Sequence, residues 1–142
     1  MPLVRLHDRG ADMARSSETG SGPGEAFVRT QAGAPAALIA RIWRGRTAIA
    51  RADEYTRYLY EAGITKIAAI PGNRGVQMLR RIGDAFAEFE VHSYWDSLDA
   101  IRRFAGDDYE QVSHLPRDPE YMVGEAPLVR HFEIIADHRL SR

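Results

Sequence analysis

Two different periods of apolar residues follow one another along the chain, and they predict a mixture of strands and helices. The stretch LIARIW at 38–43 alternates, which is typical of a strand because neighbouring side chains point to opposite faces. Apolar residues then return every three or four positions, which predicts a helix over 48–62. Thr47 is expected to cap the N-terminus of this helix, and Gly63 is expected to end it.

The segment after this helix predicts a β-hairpin. PGNRG at 71–75 has turn residues, since proline fixes φ and glycine and asparagine tolerate positive φ. Alternation then runs through GVQMLRRI at 75–82 and AFAEFEVHSYW at 85–95, which predicts a second and a third strand. Gly83-Asp84 between them favours a two-residue turn.

A second helix begins where the third strand ends, in HSYWDSLDAIRRFAG. Asp96 is expected to cap it, and Gly106 is expected to close it. A last strand, LVRHFEIIA, follows Pro127. The order β-α-β-β-α-β predicts an α+β, ferredoxin-like fold, in which two helices cover one face of a four-stranded antiparallel sheet.

The sheet face away from the helices is predicted to be mixed in character. Alternation assigns aromatic and charged residues to it, namely Arg41, Trp43, Phe86, Glu88, Glu90, His92 and Tyr94, together with Ile39 and Leu79. Aromatic residues interleaved with charges that can pair are typical of a subunit interface. These residues are therefore the predicted interface of a homodimer. An ordinary amphipathic outer surface would show the same pattern, and the periodicity leaves both interpretations open.

Composition limits the function classes. The chain has 142 residues, 44% apolar and 27% charged, which is typical of one soluble globular domain, and we expect it to be cytoplasmic. A net charge of −1 does not indicate a nucleic-acid partner. The absence of cysteine excludes disulfides, thiolate metal sites and thiol catalysis. No apolar run is long enough to span a membrane, so no membrane partner is expected.

The N-terminal part has a different composition from the rest. Residues 1–35 hold five of the twelve glycines and show no sustained period. We interpret them as a flexible tail that is dispensable for folding, and 36–142 as the folded domain. The alternative is a segment that becomes ordered against a partner subunit through Phe27 and Val28.

The run IARIWRG, the amphipathic helix, PGNRG, the strand after it and SYWDSLDAIRRFAG resemble the antibiotic biosynthesis monooxygenase-like family over roughly 38–137. The W-x-S motif that ends a strand before a helix is the more specific part. The resemblance implies a ferredoxin-like fold whose subunits pair through their sheets into a dimeric α+β barrel. The family includes cofactor-free oxygenases of aromatic polyketides, quinol monooxygenases, haem-degrading enzymes and members without known activity, so fold alone does not settle function.

The haem-degrading branch has a tryptophan on the second helix, a histidine ten residues further on and an asparagine on the first strand. The W-x-S motif aligns the tryptophan position with Phe104 and the histidine position with His114. The first strand, LIARIWRG, has no asparagine. The resemblance therefore does not imply haem degradation, whereas haem binding through His114 stays open.

The resemblance makes His114 the proposed general base. A neutral imidazole can take a phenolic proton near pH 7, and the electron-rich ring that results can reduce oxygen. A solvated loop histidine is the alternative. The substrate pocket is expected between the helices and the sheet, lined by Tyr58, Phe89, Val91, Trp95, Leu98, Ile101 and Phe104.

The E-x-H and H-x-E pairs, Glu90 with His92 and His131 with Glu133, could in principle hold a metal, but no metal is expected. Salt bridges across a subunit seam, with Arg41 as a partner, explain them more simply. The resemblance implies a cofactor-independent monooxygenase of an aromatic, phenolic or quinol-type small molecule as the leading function. A non-catalytic ligand-binding or stress-associated dimer and a haem-binding protein are the alternatives.

Overall fold

The computed structural model describes residues 37–138, and the predicted tail 1–35 lies outside them. Its four strands are β1 (Ile39–Thr47), β2 (Asn73–Ile82), β3 (Ala87–Trp95) and β4 (Leu128–Glu133). They form one antiparallel sheet in the order β2-β3-β1-β4, with the helices on one face. The predicted ferredoxin-like fold class is confirmed, whereas pairing into a dimeric barrel stays a prediction.

The first helical stretch runs without a break over 49–68 and is longer than predicted. It comprises a 3-10 turn (Ile49–Arg51), α1 (Ala52–Leu59), a π-helical segment (Tyr60–Ile64) and α2 (Thr65–Ala68). A π-helical segment inside an α-helix often marks a functional site.

The two predicted boundaries of this helix are wrong. Gly63 lies inside the π-helical segment, where a Cβ would sit 3.3 Å from the Cδ1 atoms of both Leu59 and Leu115. Close packing rather than helix termination therefore explains this glycine. Thr47 is the last residue of β1, and its Oγ1 donates to the carbonyl oxygen of Ala48 instead of capping the helix.

The hairpin and the second helix also differ in detail from the prediction. Ile82 pairs with Ala87, so the loop between β2 and β3 has four residues rather than two, closed by a bond from Gly83 N to Phe86 O. The second long helix, α3 (Leu98–Ala105), is capped by Ser97, whose Oγ accepts from Ala100 N at 3.1 Å. Asp96 instead accepts a hydrogen bond from Arg74. Gly106, with φ +87°, ends α3 as predicted.

The predicted facing of β1 is wrong. Ile39 lies opposite Trp95, Arg41 opposite Ser93, and Trp43 opposite Val91. Residues paired in this way share a face, so Ile39, Arg41 and Trp43 point toward the helices. Arg41 and Trp43 therefore do not lie on the proposed sheet-to-sheet interface.

The outer face of the sheet carries Ala40, Ile42, Arg44 and Arg46 from β1. Their partners on β3 are Tyr94, His92, Glu90 and Glu88. The third-strand part of the predicted outer face is therefore placed correctly. Phe86 lies just before β3, beneath the guanidinium of Arg46 at 5.1 Å from the ring centre.

Two buried clusters form the core between the sheet and the helices. The larger cluster packs α1 against one half of the sheet through Tyr55, Leu59 and Phe89. The smaller cluster packs α3 against the other half through Ile39, Trp95 and Ile101. A short helix, α4 (Asp118–Tyr121), closes the end of the larger cluster. Within residues 37–138, no helix has the length and apolar character needed to cross a membrane.

Candidate functional site

A cavity of about 380 Å³ lies in the gap between the two core clusters, which is the size of a small-molecule site. Its walls come from the helical stretch 49–68, the inner face of the sheet, α3 and the loop 113–118. The apolar lining residues include Trp43, Leu59, Ile67, Ile70, Val91, Phe104 and Leu115. The polar lining residues are Arg41, Tyr55, Lys66, Ser93, Ser113 and Asp118.

Only two of the seven predicted pocket residues, Val91 and Phe104, are among the residues that line this cavity. Phe89 is fully buried, 5.0 Å from the ring of Tyr55. The others do not line it: Trp95, Leu98 and Ile101 form the core under α3, and the hydroxyl of Tyr58 accepts from Arg117 N. Strand alternation predicted the inner face of β3 correctly, but helices pack directly on both ends of this strand and leave the cavity only at its middle.

His114, the proposed base, is exposed and is not among the residues that line the cavity. Its neighbours Ser113 and Leu115 do line it. His114 therefore lies between two lining residues along the chain but is not itself part of the lining. The catalytic role of His114 stays a prediction.

Arg41 forms a cationic wall at one side of the cavity and is only 4% exposed. Its Nη1 donates to the carbonyl oxygen of Tyr109 at 2.6 Å and to Nε2 of His131 at 3.0 Å. The guanidinium carbon lies 5.5 Å from the centre of the Phe104 ring. β1 and β4 bring Arg41 and His131 together, because the two residues are directly opposite each other in the sheet.

Burial shifts the pKa values of both groups. It lowers the pKa of Arg41 to about 10, which leaves the guanidinium charged at neutral pH. It also lowers the pKa of His131 to about 4, and the nearby charge of Arg41 adds to this effect. His131 is therefore neutral near pH 7. Because an arginine can only donate, Nε2 of His131 must be the acceptor and its proton must be on Nδ1.

Asp118 provides the other buried charge that lines the cavity, and it is 2% exposed. One carboxylate oxygen accepts from the hydroxyl of Tyr55 and the other from the backbone N–H of Leu115, both at 2.9 Å. Burial raises the pKa of Tyr55, and the adjacent Asp118 raises it further. The hydroxyl therefore stays protonated and donates a hydrogen bond to Asp118. These bonds fix the loop 113–118 against α1.

Sequence reasoning missed Arg41, Trp43, Tyr55 and Asp118 as cavity residues. A signal for the first two was present, since β1 extends to Thr47. In the longer strand, Arg44 and Arg46 alternate in phase with Ala40 and Ile42, which marks that set as the outer face. Ending the predicted strand at Trp43 concealed this signal.

The two carboxylate-histidine pairs lie on opposite faces of the sheet. His92 contacts Glu90 on the outer face, with Nε2 and Oε1 2.8 Å apart. His131 lies on the inner face, opposite Arg41. They cannot combine into one site, and residues 37–138 contain no group of three or more histidine and carboxylate side chains arranged to hold a metal.

The described cavity lining does not fit a haem. Haem iron is held by histidine, cysteine, methionine or tyrosine ligands. Among the described residues, the lining contains no histidine, cysteine or methionine, and the hydroxyl of Tyr55 donates to Asp118. A haem bound through His114 would have its iron outside this lining.

Comparisons with known proteins find solved structures that share the fold of this chain. No protein-family model and no curated protein sequence matches the chain. A structure from Caulobacter crescentus, provisionally named an antibiotic biosynthesis monooxygenase, is 19% identical, with a TM-score of 0.53 over 70% of this chain and 92% of that one. A similarly named structure from Bacillus cereus is 10% identical, with a TM-score of 0.52 over 73% of this chain and 99% of that one.

A heme-degrading protein from Mycobacterium tuberculosis is 19% identical, with a TM-score of 0.50 over 74% of this chain and 99% of that one. Identities this low establish a shared fold and leave the substrate open. The chain therefore has the fold of the antibiotic biosynthesis monooxygenase-like proteins.

Proposed function

We propose that this protein is a cofactor-independent monooxygenase of an aromatic, phenolic or quinol-type small molecule, and that the cavity is its substrate site. The observation that carries the proposal is the cavity itself, which is mainly apolar, has aromatic walls at Trp43 and Phe104, and is large enough for a small molecule. The fold supports it, because it is shared with structures named as monooxygenases.

The chemistry needs no external reductant. A base removes the phenolic proton, and the electron-rich ring transfers an electron to molecular oxygen. The ring radical and superoxide combine at a ring carbon that also carries hydrogen, and the peroxide oxygen takes back the proton held by the base, which gives a hydroperoxide. Loss of water from this carbon leaves a carbonyl group, so that one phenol and one O₂ give one quinone and one water.

His114 is the base in this proposal. Its position between the lining residues Ser113 and Leu115 supports this role. Because the imidazole is exposed, the proton would reach it through one water at the edge of the cavity, an arrangement that general-base catalysis allows.

Oxygen uptake by the purified full chain tests the proposal, with 1-naphthol and anthrone as probes and heat-denatured protein as the blank. We expect uptake by the wild type, and a fall in turnover of roughly 10²–10⁴ in His114→Ala with little change in KM. His138→Ala, which alters another exposed histidine, is the matched control and should leave uptake unchanged. Absence of enzyme-dependent uptake with either probe would overturn the proposal, and unchanged uptake in His114→Ala would remove this residue from the mechanism.

A non-catalytic ligand-binding protein is the second candidate. The exposure of His114 favours it, because no histidine of the described residues lines the cavity. Saturable binding without oxygen uptake would support this candidate over the enzyme. A Soret band that appears on haem addition and is lost in His114→Ala would instead support haem binding.

We also propose that the protein is a homodimer formed through the outer face of the sheet. Glu88, Glu90, His92 and Tyr94 lie on this face together with half-buried Ile42, so it offers both apolar area and charges that can pair. An obligate interface of this kind buries roughly 2,000 Å² or more. Light scattering at micromolar concentration should give the dimer mass, and a monomer mass would contradict this assembly.

A further inference from the structure

Arg41 differs from the other arginines within residues 37–138 because it is buried and its hydrogen bonds go only to neutral groups. Its two acceptors are the carbonyl oxygen of Tyr109 and the neutral imidazole of His131. No ion pair between described residues includes Arg41. The second buried charge in the cavity, Asp118, directs its oxygens to Tyr55 and Leu115 instead. The charge of Arg41 is therefore not neutralised within the described residues.

Three N–H groups of this guanidinium remain available. The two hydrogen bonds of Arg41 both come from Nη1, so Nε and Nη2 donate to no described residue. Among the described residues, the only fully enclosed side-chain nitrogen or oxygen without a partner is Nδ2 of Asn73. Nε and Nη2 of Arg41 are thus accessible, and Arg41 lines the cavity. The Nε and Nη2 atoms together form the edge of the guanidinium that a carboxylate contacts through two parallel hydrogen bonds.

The position of Arg41 prevents it from reaching bulk water in the usual way. A long cationic side chain normally extends to the surface and keeps its charge hydrated. Here Tyr109, His131 and Phe104 hold the guanidinium at the middle of the inner face. A buried cation without a counter-ion destabilises a protein unless an anion compensates it. A bound anionic ligand would supply this compensation.

We propose that the cavity binds an aromatic carboxylate, with the carboxylate on the Nε and Nη2 edge of Arg41 and the ring in the apolar part of the cavity. The inference rests on the proposed function in that it uses the same cavity as the substrate site, but it does not require turnover. One buried cation, Arg41, and a mainly apolar lining that includes Trp43 and Ile67 suit a planar monoanion attached to a ring. The other cationic lining residue, Lys66, is exposed, so a dianion such as phosphate would have only one buried cation opposite its two charges.

Calorimetric titration of the full chain with 2-naphthoate and with 2-naphthamide tests the proposal. The two probes have nearly the same shape, and only the acid carries a charge at pH 7. We expect the wild type to bind the acid roughly tenfold to a hundredfold more tightly, the range for a hydrogen-bonded charge. Equal affinities, or no binding of the acid, would overturn the proposal.

Two variants test whether the preference for the acid over the amide depends on Arg41. Arg41→Gln should lose the preference for the acid while binding the amide within about threefold of the wild type. Arg44→Gln is the matched control, because it removes the same charge from the same strand but on the outer face. It should keep the preference. A preference that survives in Arg41→Gln, or that disappears equally in both variants, would overturn the assignment to Arg41.

The wild-type comparison decides the matter even if Arg41→Gln fails to fold, which circular dichroism would show. The inference and the proposed function fail separately. Preference for the acid without any oxygen uptake would keep the inference and remove the enzyme. Oxygen uptake with naphthol, with no preference for the acid over the amide, would keep the enzyme and remove the anion site.

Discussion

On the outer face of the sheet, arginines and glutamates lie opposite one another in partly exposed pairs. Arg44 contacts Glu90 at 3.5 Å, and Arg46 contacts Glu88 at 3.9 Å. On the inner face the arrangement is different, because Arg41 is buried against a carbonyl oxygen and a neutral imidazole. The same strand therefore carries paired charges on one side and, on the other, a charge that no described residue compensates.

This difference indicates what each face is for. Exposed ion pairs contribute little to stability. A buried charge without a counter-ion is destabilising, so its presence beside a cavity points to a ligand. Within one subunit, the inner face should therefore be sensitive to substitution and to pH, whereas the outer face should tolerate both as long as no second subunit covers it.

The largest expected effect is the loss of a buried aromatic ring on the inner face. Phe89→Ala should lower the free energy of unfolding by about 3–5 kcal/mol, because it removes a fully buried ring and leaves a cavity beside Tyr55. Leu79→Ala is the control on the outer side, where the leucine is 43% exposed, and should cost less than about 1 kcal/mol. Denaturant unfolding measures both, and similar losses would show that the outer face is buried as well.

The next largest expected effect is a pH dependence of the free energy of unfolding, caused by His131 on the inner face. The pKa of His131 is about 4 in the fold and 6.5 ordinarily, so the unfolded chain binds this proton more tightly. The stabilisation that neutral His131 provides is fully present above pH 6.5. It is lost as the pH falls toward 4, and the free energy of unfolding then decreases by roughly 3 kcal/mol at most.

Unfolding measured between pH 5 and 7 checks this dependence on His131. His131→Gln keeps an acceptor for Arg41 but cannot titrate, so its stability should fall less with acid than that of the wild type. His138→Gln changes an exposed histidine and should leave the slope unchanged. Equal slopes in the wild type and His131→Gln would contradict the assignment.

A smaller effect is expected at the hydrogen bond between Tyr55 and Asp118. Tyr55→Phe leaves one oxygen of a buried carboxylate without its donor and should cost about 1–3 kcal/mol. Tyr60→Phe on the same helical stretch is the matched control, since this tyrosine is 53% exposed and should be nearly neutral. Thermal unfolding of both variants tests the difference, and a neutral Tyr55→Phe would mean that the bond does not hold the loop 113–118.

The smallest effect is expected at the ion pairs of the outer face. Arg44→Ala should change the free energy of unfolding by less than about 1 kcal/mol, because the side chains of Arg44 and Glu90 are 46% and 36% exposed. Urea unfolding at low and high salt measures it. A loss as large as that of Tyr55→Phe would show that the pair is not exposed as it is in a single subunit, and that the second subunit of the proposed dimer buries it.

Local patterns predicted the elements and their order because helices and strands each impose a period on their own residues. The alternation of β3 is confirmed from Ala87 to Trp95, and the end of α3 at Gly106 is confirmed as well. The length of the first helical stretch was not predictable in the same way. Gly63 resembles a helix end by sequence, but its role depends on Leu115, which is distant in sequence.

The sequence by itself determined the α+β order, the inner face of β3 and the domain-sized core, since these follow from periods within single segments. The tertiary structure decided which side of β1 faces the helices, because both alternate sets of residues in LIARIW contain apolar side chains and the signal from Arg44 and Arg46 lies beyond this segment. It also decided that Arg41 meets His131 and that Asp118 meets Tyr55, since each pair joins segments far apart in the chain. A binding cavity arises where such segments converge, and a pattern within one segment cannot show that convergence.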